Sequence, residues 1–269
     1  MTSARRSISA VLTLHAEGLI AHPSIGSFDL CCRTANDAGY PVERIAVLDR
    51  PDASTRAVIE HRRDLFDRVE IVDYGDVGLS RNHAVHIAGG HYVAFFDADD
   101  LWGSAWLESA AAFRDALDEN VQVVCHQEYR YWFTMDDFDH QSQTAAPGPC
   151  ASSYLKIVDS AAADFDLSAL VFANLYASQC CARRALFAQY PYAPVDRSHG
   201  FGVEDWAWNV QTLCDGVRHA VVPGTVCIVR HKNESLSQQN IREGLLPPLH
   251  LYSDRLRDQQ KKQQKEHQE

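Results

Sequence analysis

Residues 92 to 96 read Tyr-Val-Ala-Phe-Phe, and the four that follow place carboxylates at Asp97, Asp99 and Asp100. An apolar run this short, broken abruptly by acids, has the length of a buried strand and not of a helix. A strand buried on both faces belongs to a mainly parallel sheet covered by helices. Ligands of open α/β sheets collect just beyond the carboxyl ends of the strands. Acids placed there can hold a divalent cation together with an anionic substrate such as a diphosphate. The competing reading is a solvated Asp-rich turn, and the flanking sequence has to decide between them.

The rest of the first half repeats the alternation. Strand patterns cover Ile8 to Leu14, Ile45 to Leu48 with Asp49 at its end, and Val69 to Val72. Helical spacing covers Ser24 to Gly39, Ala53 to Phe66, Leu79 to Ala88 before Gly89-Gly90, and Ser104 to Leu117. This order predicts an α/β fold with a Rossmann-like, mainly parallel central sheet flanked by helices. After Asn120 the rhythm loosens. A strand from Val121 to Cys125 runs into the aromatic segment Tyr129, Tyr131, Trp132 and Phe133, and a Gln/Pro/Gly stretch follows from Gln141 to Pro149. Further on, the patterns predict a helix over Ser168–Leu175, a strand over Ala177–Ala182, a helix over Asp205–Leu213, and a strand over Ala220–Val229 with a bulge at Pro223-Gly224. One domain over 1–246 is expected, in two halves (1–118 and 119–246), with a polar tail over 247–269.

With 269 residues, 46% of them hydrophobic, the chain can bury a substantial core. A formal charge of -11 argues against a nucleic-acid-binding surface, and a small anionic ligand would need a cation's help. The eight cysteines include two adjacent pairs, Cys31-Cys32 and Cys180-Cys181, and no C-x-x-C spacing, so they read as buried reduced thiols. No signal peptide or membrane-spanning run is visible, and a cytoplasmic location is expected.

Gly78-Leu79-Ser80-Arg81-Asn82, followed by the strand ending Asp97-Ala98-Asp99-Asp100, resembles a characteristic stretch of family 2 glycosyltransferases. The Arg-Asn pair lies one position earlier than in the commonest form. Gly202-Val203-Glu204-Asp205-Trp206 resembles the family's Glu-Asp motif, and Arg230 to Ser237 resembles its closing segment. Two departures stand out. Thr13-Leu14-His15-Ala16 replaces the usual Pro-Thr-Tyr-Asn, and Arg50 follows Asp49 where many relatives carry a second Asp.

The resemblance implies a GT-A fold with a donor half and an acceptor-side half. It also implies inverting transfer of a sugar from a nucleotide-diphosphate donor to a hydroxyl of a glycan or lipid-linked glycan, as in bacterial surface polysaccharide synthesis at the inner face of the cytoplasmic membrane. Any membrane association would then run through the lipid-linked acceptor, another protein or a region outside this sequence. Nucleotide-sugar contacts fall on His15, Glu17, Asp49, Arg81, Asp97 and Asp99. Mn²⁺ or Mg²⁺ falls to Asp97, Asp99 and His231, whose oxygen and imidazole donors suit such ions. Asp205 becomes the general base that takes the acceptor proton, with Glu204 and Trp206 toward the acceptor.

Each residue also has a bland reading. Asp205 could be a helix N-cap, Asp100 could start the helix near Trp102, Arg81 could be a plain surface arginine where its functional reading is to meet a phosphate or hold the Asp97 carboxylate, and the tryptophans could be core. Two rival functions remain. A sugar-nucleotide nucleotidyltransferase would show a Gly-rich basic loop after the first strand, which residues 12 to 20 lack. An inactive nucleotide- or glycan-binding module would have no use for a base.

Overall fold

The computed structural model describes residues 5–134, 138–139, 144–145, 153–231, 236–254, 257–258 and 261. Strand β1 (Ile8–Leu14), helix α1 (Ala21–Asp37), β2 (Val42–Asp49), α2 (Ala53–His61), β3 (Arg68–Val72), α3 (Val77–Ile87) and β4 (Tyr92–Asp97) alternate as the periodicity predicts. Each boundary has a local cause. The Asp52 carboxylate accepts from Thr55 N at the start of α2, and Asp76 accepts from Leu79 N at the start of α3. At Gly90 an added Cβ would lie 2.4 Å from the backbone N of Ser9, so only glycine lets the chain pass β1 and turn into β4.

Beyond β4 come β5 (Leu101–Trp102), α4 (Trp106–Asp115), β6 (Val123–Thr134), a two-residue hairpin of β7 (Phe138–Asp139) and β8 (Thr144–Ala145), and β9 (Ser153–Lys156). The chain closes with β10 (Cys181–Arg183), α5 (Arg184–Gln189), α6 (Glu204–Cys214), β11 (Arg218–His231) and α7 (Leu236–Arg242). The aromatic segment expected to follow a short strand is instead the second half of β6, paired along its length with β11. The helix expected over Ser168–Leu175 is a 3-10 turn over Leu167–Val171. Asp100 does not cap a helix: α4 begins after Ala105, and the intervening residues Leu101 and Trp102 pair with Ile228 and Cys227 of β11. The stretch expected as a polar tail begins with Leu249 and Tyr252 packed against a buried cluster around Leu170 and Val210.

One mixed sheet, in the order β3-β2-β1-β4-β10-β6-β11-β5 with β9 beside β6, runs through both halves. β1 lies parallel to β2 and β4, and β6 lies parallel to β11. The short β10 is antiparallel to both β4 and β6, which makes those two strands run the same way. Consequently the carboxyl ends of β1, β2, β4, β6 and β11 all point to one edge. β10 enters from that edge, so Ser178 and Gln179, just before it, arrive beside the end of β4. Helix α6 leads into β11 through a short turn, so its N-terminus lies at the same edge.

The core is layered on the two faces. Ile25, Phe28, Trp106 and Leu107 pack under one face, and Ala84, Leu186, Phe187 and Trp208 cover the other. All the described cysteines, seven residues that leave out Cys150, are buried and form no disulfide, as the spacing implied. Burial pushes the Cys31 thiol up to about 12. Among the described residues no helix is long and apolar enough to cross a membrane.

Candidate active site

Asp97 sits beside Thr13 in the β1–β4 register. Its Oδ1 accepts from Thr13 Oγ1 (2.9 Å) and from Arg81 Nη2 (2.9 Å), and its Oδ2 accepts from Gln179 Nε2 (3.1 Å) and Ser178 Oγ (3.4 Å). Burial works to raise this carboxyl's pKa, but Arg81 and the hydroxyl and amide donors hold it below the ordinary range. Asp100 is buried at 3% exposure. It accepts from Arg230 N (2.8 Å) and from Gln179 Nε2, and burial beside the charges of Asp99 and Asp97 pushes it well up. One amide therefore ties the two outer acids of the cluster together. The Oε1 of Gln179 accepts in turn from Cys227 Sγ (2.7 Å). Asp99, between them, is half-buried, and its carbonyl accepts from Arg230 Nε (3.1 Å).

Arg81 links this cluster to the second pair of acids. Its Nη1 donates to Glu204 Oε1 (2.7 Å), and its Nη2 donates to Asp97 and to Ser178 Oγ (3.0 Å). Burial opposes the guanidinium's charge, yet Asp97 and Glu204 more than offset it and raise the pKa. Close approach depends on Gly78, where an added Cβ would lie 3.1 Å from both Glu204 Cγ and Tyr192 Cβ. Asn82, the other half of the Arg-Asn pair, exchanges hydrogen bonds with the backbone of Tyr192 in both directions.

Glu204 and Asp205 open α6, where the exposed amide dipoles favour negative charge. The preceding Val203 has φ 57° and ψ 62°. A β-branched residue in the left-handed region is strained, and such strain gathers at functional sites. Glu204 is buried against Arg81. Burial and the neighbouring Asp205 push its carboxyl up, with Arg81 opposing. Asp205 is half-buried. Its Oδ1 accepts from Trp206 N (2.8 Å) and its Oδ2 from Asn174 Nδ2 (3.0 Å). Burial raises its pKa against the nearby charges of Arg81 and Arg130.

At the donor end, Asp49 is buried, and its oxygens accept from Tyr74 N, Gly75 N, Asp76 N and Ser80 Oγ at 2.9–3.0 Å. The exposed His15 donates from Nδ1 to the Asp49 carbonyl (2.5 Å) and from its backbone N to Glu17 Oε2 (2.6 Å). Arg50 has φ 49° and pairs with Asp73.

The model of glycosyl transferase family 2 matches residues 29–157. The matched stretch, just under half of the chain, is similar to that family. Among solved structures, S. aureus TarS 1-349 aligns at a TM-score of 0.58 with 17% identity, over 88% of this chain and 63% of that one. The chain spans 37% of the length of the longer TarS structure. The mannosyltransferase PcManGT from Pyrobaculum calidifontis, in complex with GDP-Man and Mn2+, aligns at 0.55 with 16% identity, over 94% of this chain and 68% of that one. TarS 1-349 is also known with UDP and with UDP-GlcNAc. No curated protein matches the chain. The fold is therefore the GT-A glycosyltransferase fold that the alternation and the motifs predicted.

Several of the expected site residues have partners within the protein. Asp49 accepts from the backbone of residues 74–76 and from Ser80, and so staples this loop to the end of β2. Arg81 is 3% exposed, and its Nη1 and Nη2 hold Glu204 and Asp97. Glu204 accepts from Arg81 through Oε1 (2.7 Å). Trp206 is half-buried, donates its indole N–H to Leu170 O (2.7 Å) and packs beside Leu170 and Val210. Asp97 accepts from four protein donors, and Asp99 is half-buried beside it. His231 ends β11, and its side chain lies outside the described residues, as do Lys232 to Ser235.

Among the described residues no three His, Cys, Asp or Glu side chains come together to hold a metal ion. The donor set still suits Mg²⁺ or Mn²⁺, because such ions are commonly held by one or two carboxylates together with substrate phosphates and water. Sequence reasoning missed Ser178, Gln179, Asn174 and Arg130. None lies in a motif, and only the return of β10 and the pairing of β6 with β11 bring them to this edge.

Proposed function

We propose that this chain is a glycosyltransferase that moves a sugar, with inversion, from a nucleotide-diphosphate sugar to a hydroxyl of a glycan acceptor. The observation that carries the reading is the Arg81 bridge, which holds the α6 acids facing the acids at the end of β4. On one side stand the carboxylates at the end of β4, Asp97 among them held below the ordinary range, and on the other a half-buried carboxylate with a raised pKa. Asp205 is the general base: its raised pKa and partial exposure suit it to take the proton of an attacking hydroxyl. Attack from the face opposite the leaving diphosphate inverts the anomeric centre. Glu204, held by Arg81, fixes the first turn of α6 so that Asp205 stays in place.

His15 and Glu17, at the exit of β1, are positioned to meet the nucleotide. Asp99 is the residue that would hold a divalent cation, with Asp97 and Asp100 orienting it through Gln179. A bound cation would neutralise the charge that builds on the leaving diphosphate. Nucleotide-sugar ligands of TarS and PcManGT make UDP- and GDP-sugars the first donors to try, and a lipid-linked glycan of a surface polysaccharide is the acceptor class proposed.

The test incubates the protein with a panel of nucleotide sugars and Mn²⁺ and follows release of the nucleoside diphosphate. Release that depends on Asp99 and Asp205 supports the assignment. Failure of every nucleotide sugar to raise the melting temperature, with or without metal, would refute it, since a ligand of the native state must stabilise that state.

A further inference from the structure

A carboxylate acts as a base only when its orientation is held, and Asp205 is held from outside its own helix. Asn174, in the irregular stretch after the 3-10 turn, donates from Nδ2 to Asp205 Oδ2 at 3.0 Å. Its own amide is set by Asn209, which follows Asp205 by one turn of α6 and is 1% exposed. Asn209 Nδ2 donates to Asn174 Oδ1 (3.0 Å) and to the Tyr176 carbonyl (2.9 Å). A carbonyl can only accept, so Tyr176 fixes Asn209 with its nitrogen inward. That nitrogen then demands the oxygen of Asn174, which turns the Asn174 nitrogen toward Asp205. The polarity of the whole relay is decided by one backbone carbonyl.

We infer that Asn174 is a positioning residue for the base, its amide hydrogen holding Asp205 Oδ2 so that the remaining lone pairs face the acceptor hydroxyl. The inference rests on the reading of Asp205 as the base. A neutral donor suits this place, because it orients the carboxylate and favours its ionised form without adding charge. The charged groups facing Asp205 are Glu204 on its own helix, Arg81 from α3, Arg130 from β6 and Asp97 from β4. The guanidinium of Arg130 lies 5.6 Å from the Trp132 ring centre. Asn174 lies among them as the neutral partner.

The experiment measures release of UDP from UDP-GlcNAc and of GDP from GDP-mannose with Mn²⁺ across pH 5–9, water serving as the acceptor. Wild type, Asn174→Ala, Asn174→Asp and Asp205→Asn are compared, with thermal unfolding recorded for each. The expected result for Asn174→Ala is a fall in kcat of about ten- to a hundredfold at unchanged donor KM. The acid limb of its kcat profile should also move up by about one pH unit, because the carboxylate has lost an N–H donor. Asn174→Asp, nearly the same size, should keep the fold and move the limb further up through like-charge repulsion. A fall in kcat with no movement of the limb in either variant would mean a merely structural residue and overturn the proposal. So would unchanged kinetics in Asn174→Ala while Asp205→Asn is inactive. Full release by Asp205→Asn would instead remove the base reading itself, and the proposal with it.

Discussion

Two acid clusters face each other across Arg81, and they are built by opposite means. At the end of β4, Asp97 is surrounded by donors from four residues and held below the ordinary carboxylate range. At the N-terminus of α6, Asp205 has fewer donors, and burial raises it. Each cluster spends one acid on Arg81, Asp97 on one side and Glu204 on the other, and leaves a neighbour, Asp99 or Asp205, toward the site. Asp97, beside Arg81 and its other donors, is held low, whereas burial raises Asp205 and also Asp100 next to Asp97. The difference teaches that the charge, donors and burial around each carboxylate set its protonation behaviour more than its place in a motif does.

Arg81→Met should break the comparison most severely. It leaves Asp97 and Glu204 as buried acids without their counter-charge, at a cost of about 3–5 kcal/mol. Denaturant unfolding should show the loss, and restoration by a Glu204→Gln second change would sharpen the partition between the two clusters. Asp205→Asn separates the clusters functionally. Transfer should fall by about 10²–10⁴-fold with donor affinity and melting temperature retained, and calorimetric titration with the nucleotide sugar is the check.

A third prediction concerns the platform beneath α6. His126 and His219 lie with ring nitrogens 3.0 Å apart, Thr212 Oγ1 stands 2.8 Å from the far nitrogen of His219, and both rings are fully buried. Burial pushes both pKa values down, that of His219 to about 3 from an ordinary 6.5. The unfolded chain therefore binds protons near pH 6.5 that the folded chain refuses. Their contribution to stability is complete above that pH and is lost at up to about 1.4 kcal/mol per pH unit for each ring as the pH falls below it. Melting temperatures at pH 7, 6 and 5 should drop accordingly, and His219→Gln should flatten the slope. A slope unchanged by that substitution would place the acid sensitivity elsewhere.

The smallest effect is expected at Asp76, which caps α3 and also accepts from Val195 N (2.8 Å). Asp76→Ala should cost about 1 kcal/mol in chemical denaturation and loosen both clusters equally, since α3 carries Arg81. A loss of transfer far beyond the loss of stability would show that the start of α3 acts on one cluster alone.

The alternation of strands and helices through Asp97, the caps at Asp52 and Asp76, and the presence of acids at Asp97–Asp100 and Glu204–Asp205 were legible in the sequence. They depend on periods of two and 3.6 residues and on contacts a few positions apart. The motifs also located the two clusters correctly at one edge. What each acid does was not legible. Asp49, expected at the nucleotide, is also a staple for a loop 25 residues away. Asp100 looked like a cap and is clasped by Gln179. Arg81 reaches Glu204 across 123 positions, and Asn174 reaches Asp205 from a segment with no periodic signal. The sequence alone determined the alternation of the fold and where the acids stand along the chain, because short-range periodicity and side-chain type set both. Only the tertiary structure decided which carboxylates are anchored and which are offered, because that choice depends on donors that sheet pairing brings in from distant parts of the chain.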